Sequence, residues 1–209
     1  MNKRRVEKDP SATLTGIFLE IKDGEMYRTK YGPDFEISKH VLDTLSKYNL
    51  SSRENASKAC PIVLMSFDVE SVKYFKGKTD LELNQLIGNW EKGNLSEIAK
   101  YADAIGPDII MLFENPNTYP GKFNKVVEDA HKLNLKVYPW TFRNDKLPAW
   151  AKTPEEMYFL MKNQSHVDGV TTEFPDFVVG CYESPYSLGS ELQHLSILLF
   201  PLLILFLLL

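Results

Sequence analysis

Gly16-Ile17-Phe18-Leu19-Glu20-Ile21-Lys22 decides how the rest of the chain is read. The run is short, apolar and interrupted by charge at every second place near its end, which is the pattern of a strand. Side chains alternate along a strand, so Glu20 and Lys22 share one face. Ile17, Leu19 and Ile21 take the other, which suits packing against helices. Four further apolar runs follow: Ile62–Phe67, Tyr101–Ile105, Lys136–Thr141 and Val167–Thr172. Their spacing leaves room for a strand, a helix and two loops each time. The intervening segments carry helical stripes. Val41, Leu42, Leu45 and Tyr48 make one, and Phe123, Val126, Val127 and Ala130 another. Asp68 stands where it caps a helix bearing Val72 and Phe75. Thr153-Pro154-Glu155-Glu156 supplies a cap, a first-turn proline and a capping-box glutamate ahead of Met157, Leu160 and Met161. Strand and helix in alternation predict an α/β fold with a parallel sheet. Five such units suit a barrel or a doubly wound sheet, and periodicity does not choose between them. A full eight-unit barrel takes ~250 residues, and roughly 180 are available here outside the two ends.

The chain has 209 residues, 24 Lys plus Arg against 28 Asp plus Glu, and a net charge of −4. A quarter of the residues are charged and 44% are apolar, values that exclude a mostly disordered or collagen-like chain. The mild acidity argues against nucleic acid as a partner. From Leu195 to Leu209 only Ser196 and Pro201 interrupt a run of Leu, Ile and Phe. Fifteen helical residues reach roughly 22 Å, short of the ~30 Å hydrocarbon core. Ser184, Ser187, Gly189 and Ser190 precede the run, as in a glycosylphosphatidylinositol-anchor signal. A tail-anchor helix or a frame-shifted end are the alternatives. Sequons at Asn49, Asn55, Asn94 and Asn163 agree with a secretory route and a cell-surface or membrane-anchored location. The opening Met1-Asn2-Lys3-Arg4-Arg5 has no apolar core of a signal peptide, which leads to the expectation that the true N-terminus lies upstream. Cys60 and Cys181 either pair or stay as thiols. The expected organisation is a basic lead over 1–13, a barrel domain over 14–180, a linker over 181–194 and the hydrophobic tail over 195–209.

A carboxylate and an ammonium pointing inward near the C-terminal end of a strand sit where barrel enzymes do chemistry. Glu20 suits Ca²⁺ or Mg²⁺, and Lys22 suits a phosphate. The same spacing also describes a plain buried ion pair or a solvated strand face. Ser66 and Phe67 end the second run, and Trp140 lies near the end of the fourth. The histidines are His40, His131, His166 and His194, and none follows a strand directly. No nucleophile motif and no phosphate-cradling glycine loop is present.

The order Gly-Ile-Phe-Leu-Glu-Ile-Lys, Ser-Phe-Asp, Tyr-Ala-Asp-Ala-Ile-Gly-Pro, Val-Tyr-Pro-Trp-Thr-Phe-Arg-Asn-Asp-Lys-Leu-Pro and Asp-Gly-Val-Thr-Thr-Glu-Phe-Pro-Asp resembles the glycerophosphodiester phosphodiesterases, over about Leu14 to Val178. The resemblance implies a TIM (β/α)₈ barrel that hydrolyses glycerophosphodiesters, such as glycerophosphocholine, to sn-glycerol 3-phosphate and an alcohol. It implies a divalent cation, Ca²⁺ or Mg²⁺, held by three carboxylates of which Glu20 matches the third. Lys22 matches the lysine near the phosphate, and Trp140 an aromatic that lines the pocket. Ser66 and Phe67 match the segment bordering the site from strand five.

The departures point the other way. The family's His-Arg-Gly, its Glu-x-Asp pair and its second histidine are absent, so no catalytic histidine is assigned. Glu173 replaces the aspartate of Thr-Asp-Phe-Pro. The expectation is an incomplete barrel of about strands 4–8, in which the 209-residue chain alone is inactive. The alternatives are a non-catalytic, membrane-anchored relative and a sphingomyelinase-D-like phospholipase.

Overall fold

The computed structural model describes residues 14–89 and 94–183 and the backbone of 204–205. The strands are β1 (Gly16–Ile21), β2 (Ile62–Ser66), β3 (Glu82–Ile87), β4 (Ala104–Pro107), β5 (Lys136–Val137) and β6 (Ile204–Leu205). They form one sheet in the order β5-β4-β3-β2-β1-β6, with every neighbouring pair parallel. The helices are α1 (Gly24–Tyr31), α2 (Ile37–Lys47), α3 (Arg53–Ala59), α4 (Val69–Phe75), α5 (Leu95–Ile98), α6 (Val126–Lys132), α7 (Pro154–Asn163) and α8 (Pro175–Glu183). Their starts follow local chemistry. Ser52, Asp68, Asn94 and Thr153 each accept a backbone N–H of the following turn. Glu156 returns the contact by accepting the N–H of Lys152 at 2.7 Å.

The sheet has two apolar faces of unequal size. Leu64, Leu83, Ile105 and Val137 point outward and pack with Val72, Phe75, Ile98, Val127, Ala130, Met157 and Met161 from the helices. Phe18, Val63, Met65, Leu86, Ala104 and Tyr138 point inward and pack on one another. Among the described residues helices therefore cover one face only. In a flat sheet β1 and β5 would lie roughly 19 Å apart, four strand spacings of ~4.8 Å. Yet the Phe18 and Tyr138 rings meet edge to face with centroids 5.4 Å apart. The sheet has curled until its inner faces touch. That settles the choice left open by periodicity in favour of a barrel-like sheet, since a doubly wound sheet carries helices on both faces.

Three expectations are corrected. A whole strand, β3, was not anticipated, because Glu82, Asn84 and Gln85 break its apolar pattern. Two of the three polar side chains are engaged: Glu82 binds Lys136 at 2.5 Å and the Tyr138 hydroxyl at 2.7 Å inside the curl, and Gln85 ties backbone carbonyls, whereas the buried Asn84 Oδ1 has no hydrogen-bond partner. The strand expected at Tyr101–Ile105 sits three residues later, with Tyr101 and Ala102 in the preceding turn. Val167–Thr172 is irregular rather than a strand. It still follows the extended chain after β5, through Asp168 N–H to Val137 O, Thr171 N–H to Pro139 O and Phe142 N–H to Thr171 O. Cys60 and Cys181 are both free thiols. No helix of the described residues is long and apolar enough to cross a membrane. The basic lead and the tail at 195–209 lie outside the described residues, apart from the backbone of β6.

Candidate functional site

Glu20 and Lys22 stand at the C-terminal end of β1. Glu20 pairs in register with Met65 of the inner face, and Ile21, between the charged pair, belongs to the helix-facing core. The carboxylate therefore faces the inside of the curl, with 14% of its side chain exposed. The Lys22 ammonium lies 2.9 Å from both Glu20 oxygens and is itself 56% exposed. An ammonium carries three N–H donors. Two serve Glu20 and one is left for an incoming oxygen at the rim. The ion pair that the spacing allowed is thus present, and it is an accessible one.

Phe67 and Trp140 stand at the same end of the sheet, past β2 and β5. Phe67 follows β2 directly and is 48% exposed. Its ring meets that of Trp140 edge to face at 5.4 Å. Trp140 is held from below by its indole N–H, which donates to Gly106 O at 2.7 Å. Gly106 has no side chain because the space is taken: a Cβ there would lie 2.6 Å from Leu86 Cδ2. Ser66 lies apart from these groups. It is buried, its hydroxyl donates to Ile21 O at 2.6 Å and accepts from Asp68 N–H at 3.0 Å, and so it ties β1 to the start of α4. Beneath the rim the inner cluster is filled, with Met65, Ala104 and Tyr138 at most 3% exposed.

The fit to a divalent cation is poor. Among the described residues no three His, Cys, Asp or Glu side chains come together as a metal site. Glu20 is engaged by Lys22 through both oxygens, whereas Ca²⁺ takes 6–8 oxygen ligands. Nor, among the described residues, does a histidine stand at the rim. His131 binds Asp168 at 2.9 Å, and Asp168 also accepts the Val137 N–H at the start of this stave. His166 lies in the loop before Val167 at a φ of 58°, and His40 is on the exposed face of α2. His194 lies outside the described residues.

Two groups at this end escaped the sequence reading. Arg143, just past Trp140, grips Asp145 with two N–H groups at 3.0 and 2.8 Å and Glu173 at 3.0 Å, joining the last two staves. Gln85 spans β2 and β3. Only an oddity signalled it, a lone amide between Leu83 and Ile87 in an outward row. Asp68 belongs to the wall behind the rim. Burial pushes its carboxyl up, but hydrogen bonds from Ser71 and Arg28 and the guanidinium charge hold it below the ordinary carboxylate value.

A model of the glycerophosphoryl diester phosphodiesterase family matches residues 2–177. The chain is 29% identical over 192 residues to a glycerophosphodiester phosphodiesterase of Haemophilus influenzae, a match covering 77% of this chain and 50% of that one. It is 26% identical over 187 residues to the glycerophosphodiester phosphodiesterase GDPDL1 of Arabidopsis thaliana, covering 86% and 24%. The chain thus spans half the length, or less, of these curated relatives. A solved structure from Silicibacter pomeroyi, described as a glycerophosphoryl diester phosphodiesterase, superposes with a TM-score of 0.56 at 18% identity, covering 84% of this chain and 52% of that one. At that identity the likeness is one of fold.

Proposed function

The chain belongs to the glycerophosphoryl diester phosphodiesterase family, and from that premise we propose that it supplies the phosphate-facing lip of an enzyme hydrolysing glycerophosphodiesters, such as glycerophosphocholine, to sn-glycerol 3-phosphate and an alcohol. The observation that carries this reading is the exposed Lys22 ammonium, held by Glu20 just past the C-terminal end of β1, with the Phe67–Trp140 ring pair at the same end of the parallel sheet. Lys22 offers its remaining N–H to a phosphate oxygen, and Glu20 keeps the ammonium in place. The aromatic lip gives an apolar wall to the glycerol carbons. No histidine stands among the described rim residues, and a positioned acid or base is worth roughly 10²–10⁴-fold. The described residues therefore bind and orient rather than complete the reaction.

The test is a metal-supplemented assay of the 209-residue chain beside a longer polypeptide translated from sequence 5′ of the Met1 codon. Expected is no turnover of glycerophosphocholine by the chain alone and turnover by the longer product, lost in its K22M variant. A longer product that lacks histidine and Glu-x-Asp motifs and stays inert favours the non-catalytic reading, which the absence of a metal cluster among the described residues supports. Cleavage of sphingomyelin in place of glycerophosphocholine overturns the substrate. For location we propose a membrane-anchored protein of the secretory pathway, on the strength of the apolar run at 195–209 and the four sequons. Release from cells by phosphatidylinositol-specific phospholipase C is the expected result.

A further inference from the structure

Gln85 is the one long polar side chain in the outward row of β3, between Leu83 and Ile87, and it is only 3% exposed. An amide buried on a helix-facing surface is costly unless all its polar atoms are engaged. Here they are. The two Nε2 hydrogens reach three carbonyls, Ser66 O at 3.0 Å, Leu86 O at 3.0 Å and Phe67 O at 3.3 Å, so the Phe67 contact is the longer arm of a shared, three-centre bond. The Oε1 atom accepts from the Tyr101 hydroxyl at 3.1 Å. Phe67 lies one residue beyond β2, where the ladder has ended. Its backbone is therefore fixed from one side by Gln85 and from the other by the Asp68 N–H to Ser66 Oγ bond. Trp140 has its own backbone tie, to Gly106 O, so the two rings are set independently from behind.

We propose that Gln85, braced by Tyr101, is the positioning residue that aims Phe67 at Trp140 and so shapes the lip for its ligand. None of its atoms reaches the rim, and it acts only through the Phe67 backbone. The ligand part of this inference rests on the phosphodiesterase reading; the aiming of the ring does not.

The experiment uses the whole 209-residue chain labelled with 5-fluorotryptophan. The chain has three tryptophans, and W140F assigns the Trp140 fluorine signal. Trp150, buried and stacked on Phe113 at 4.3 Å, serves as an internal control. In Q85M the Trp140 signal is expected to move and broaden while that of Trp150 stays, and F67L is expected to move it likewise. Y101F, a milder change, shifts Trp140 in the same direction by less, and it decides the matter should Q85M not fold. A Trp140 signal unmoved in folded Q85M or Y101F overturns the proposal, as does an equal shift of Trp150. Titration with glycerophosphocholine then adds the ligand. Affinity read from the Trp140 signal is expected to fall by about two- to tenfold in Q85M, the range of weight of a single hydrogen bond. Unchanged affinity alongside a moved Trp140 signal refutes the shaping of the lip. A wild-type signal that ignores glycerophosphocholine refutes the substrate reading instead, with the aiming of Phe67 still decided by the ligand-free spectra.

Discussion

Arg28 shows how a single side chain can hold the wall behind a rim. Its guanidinium binds both Asp68 oxygens at 2.8 Å and Glu36 at 3.2 Å, joining α1, the start of α2 and the cap of α4. The pair is largely covered, with side-chain exposures of 20% and 17%. Replacing Arg28 by Met leaves the Asp68 carboxylate short of its partner at an expected cost of about 1–3 kcal/mol, measured by urea unfolding. The sign of the pH effect follows from the lowered Asp68 value. Its stabilisation is present above the ordinary carboxylate value of 3.8 and is lost as pH falls through the lower folded one. R28M should therefore bring acid unfolding in at higher pH. Tyr101 works at the other limb. Burial first, then the charge of Glu70, pushes its hydroxyl from 10.0 up to about 12. The neutral form stabilises the fold below the ordinary value, and this is lost as pH rises through about 12. In an alkaline absorbance titration Tyr101 should ionise later than the exposed tyrosines, and Y101F should remove that late step. Residues of this kind were half legible in the sequence. Glu20 and Lys22 announced themselves by alternation, and Asp68 by its place before a helix. Arg28, Arg143 and Gln85 did not, because their partners lie 40, 30 and about 19 positions away and only the folded chain brings them near.

At the scale of elements, legibility followed the balance between local pattern and distant contact. β1, β2 and the caps of α4 and α7 are written in neighbouring residues, so alternation and capping rules found them. β3 was hidden because its inner row, Glu82, Asn84 and Leu86, is polar at its first two places, where a core strand is expected to be apolar. Its reasons lie two strands away in Lys136 and Tyr138. The 167–172 segment erred in the opposite sense. Its apolar content reads as a strand, but only scattered backbone bonds to the chain after β5 form. Packing between elements also sets hard limits. α1 begins at Gly24 against α4, where a Cβ would fall 2.3 Å from Ser71 Oγ and 2.4 Å from Asp68 Oδ2. G24A is therefore expected to push α1 off the cap of α4 and cost about 1–3 kcal/mol, the usual penalty of overpacking. A thermal melt checks it. A-for-G changes in open helices stabilise by ~0.4–1 kcal/mol where the backbone allows them, so a gain in stability would show that the contact is slack.

For the molecule as a whole, the sequence could say that strands and helices alternate but not that the sheet curls. That fact rests on Phe18 and Tyr138 meeting across the interior, a contact between residues 120 positions apart with no local signature. The same crowding governs what the rim can accept. Below Trp140 the space is filled by Met65, Leu86, Ala104 and Tyr138, all buried. Whatever lies against Lys22 thus rests on a floor rather than in a shaft. On the proposed reading, a phosphodiester seated there meets the described residues at its phosphate and nearest carbons. A shallow seat of this kind grades ligands by their head and ignores their length. Across glycerophosphodiesters with leaving groups of increasing bulk, binding to the chain should stay within about tenfold, since each lost or gained solvent-exposed contact is worth little. A steep decline with bulk, read by calorimetry, would mean that a roof closes over the seat.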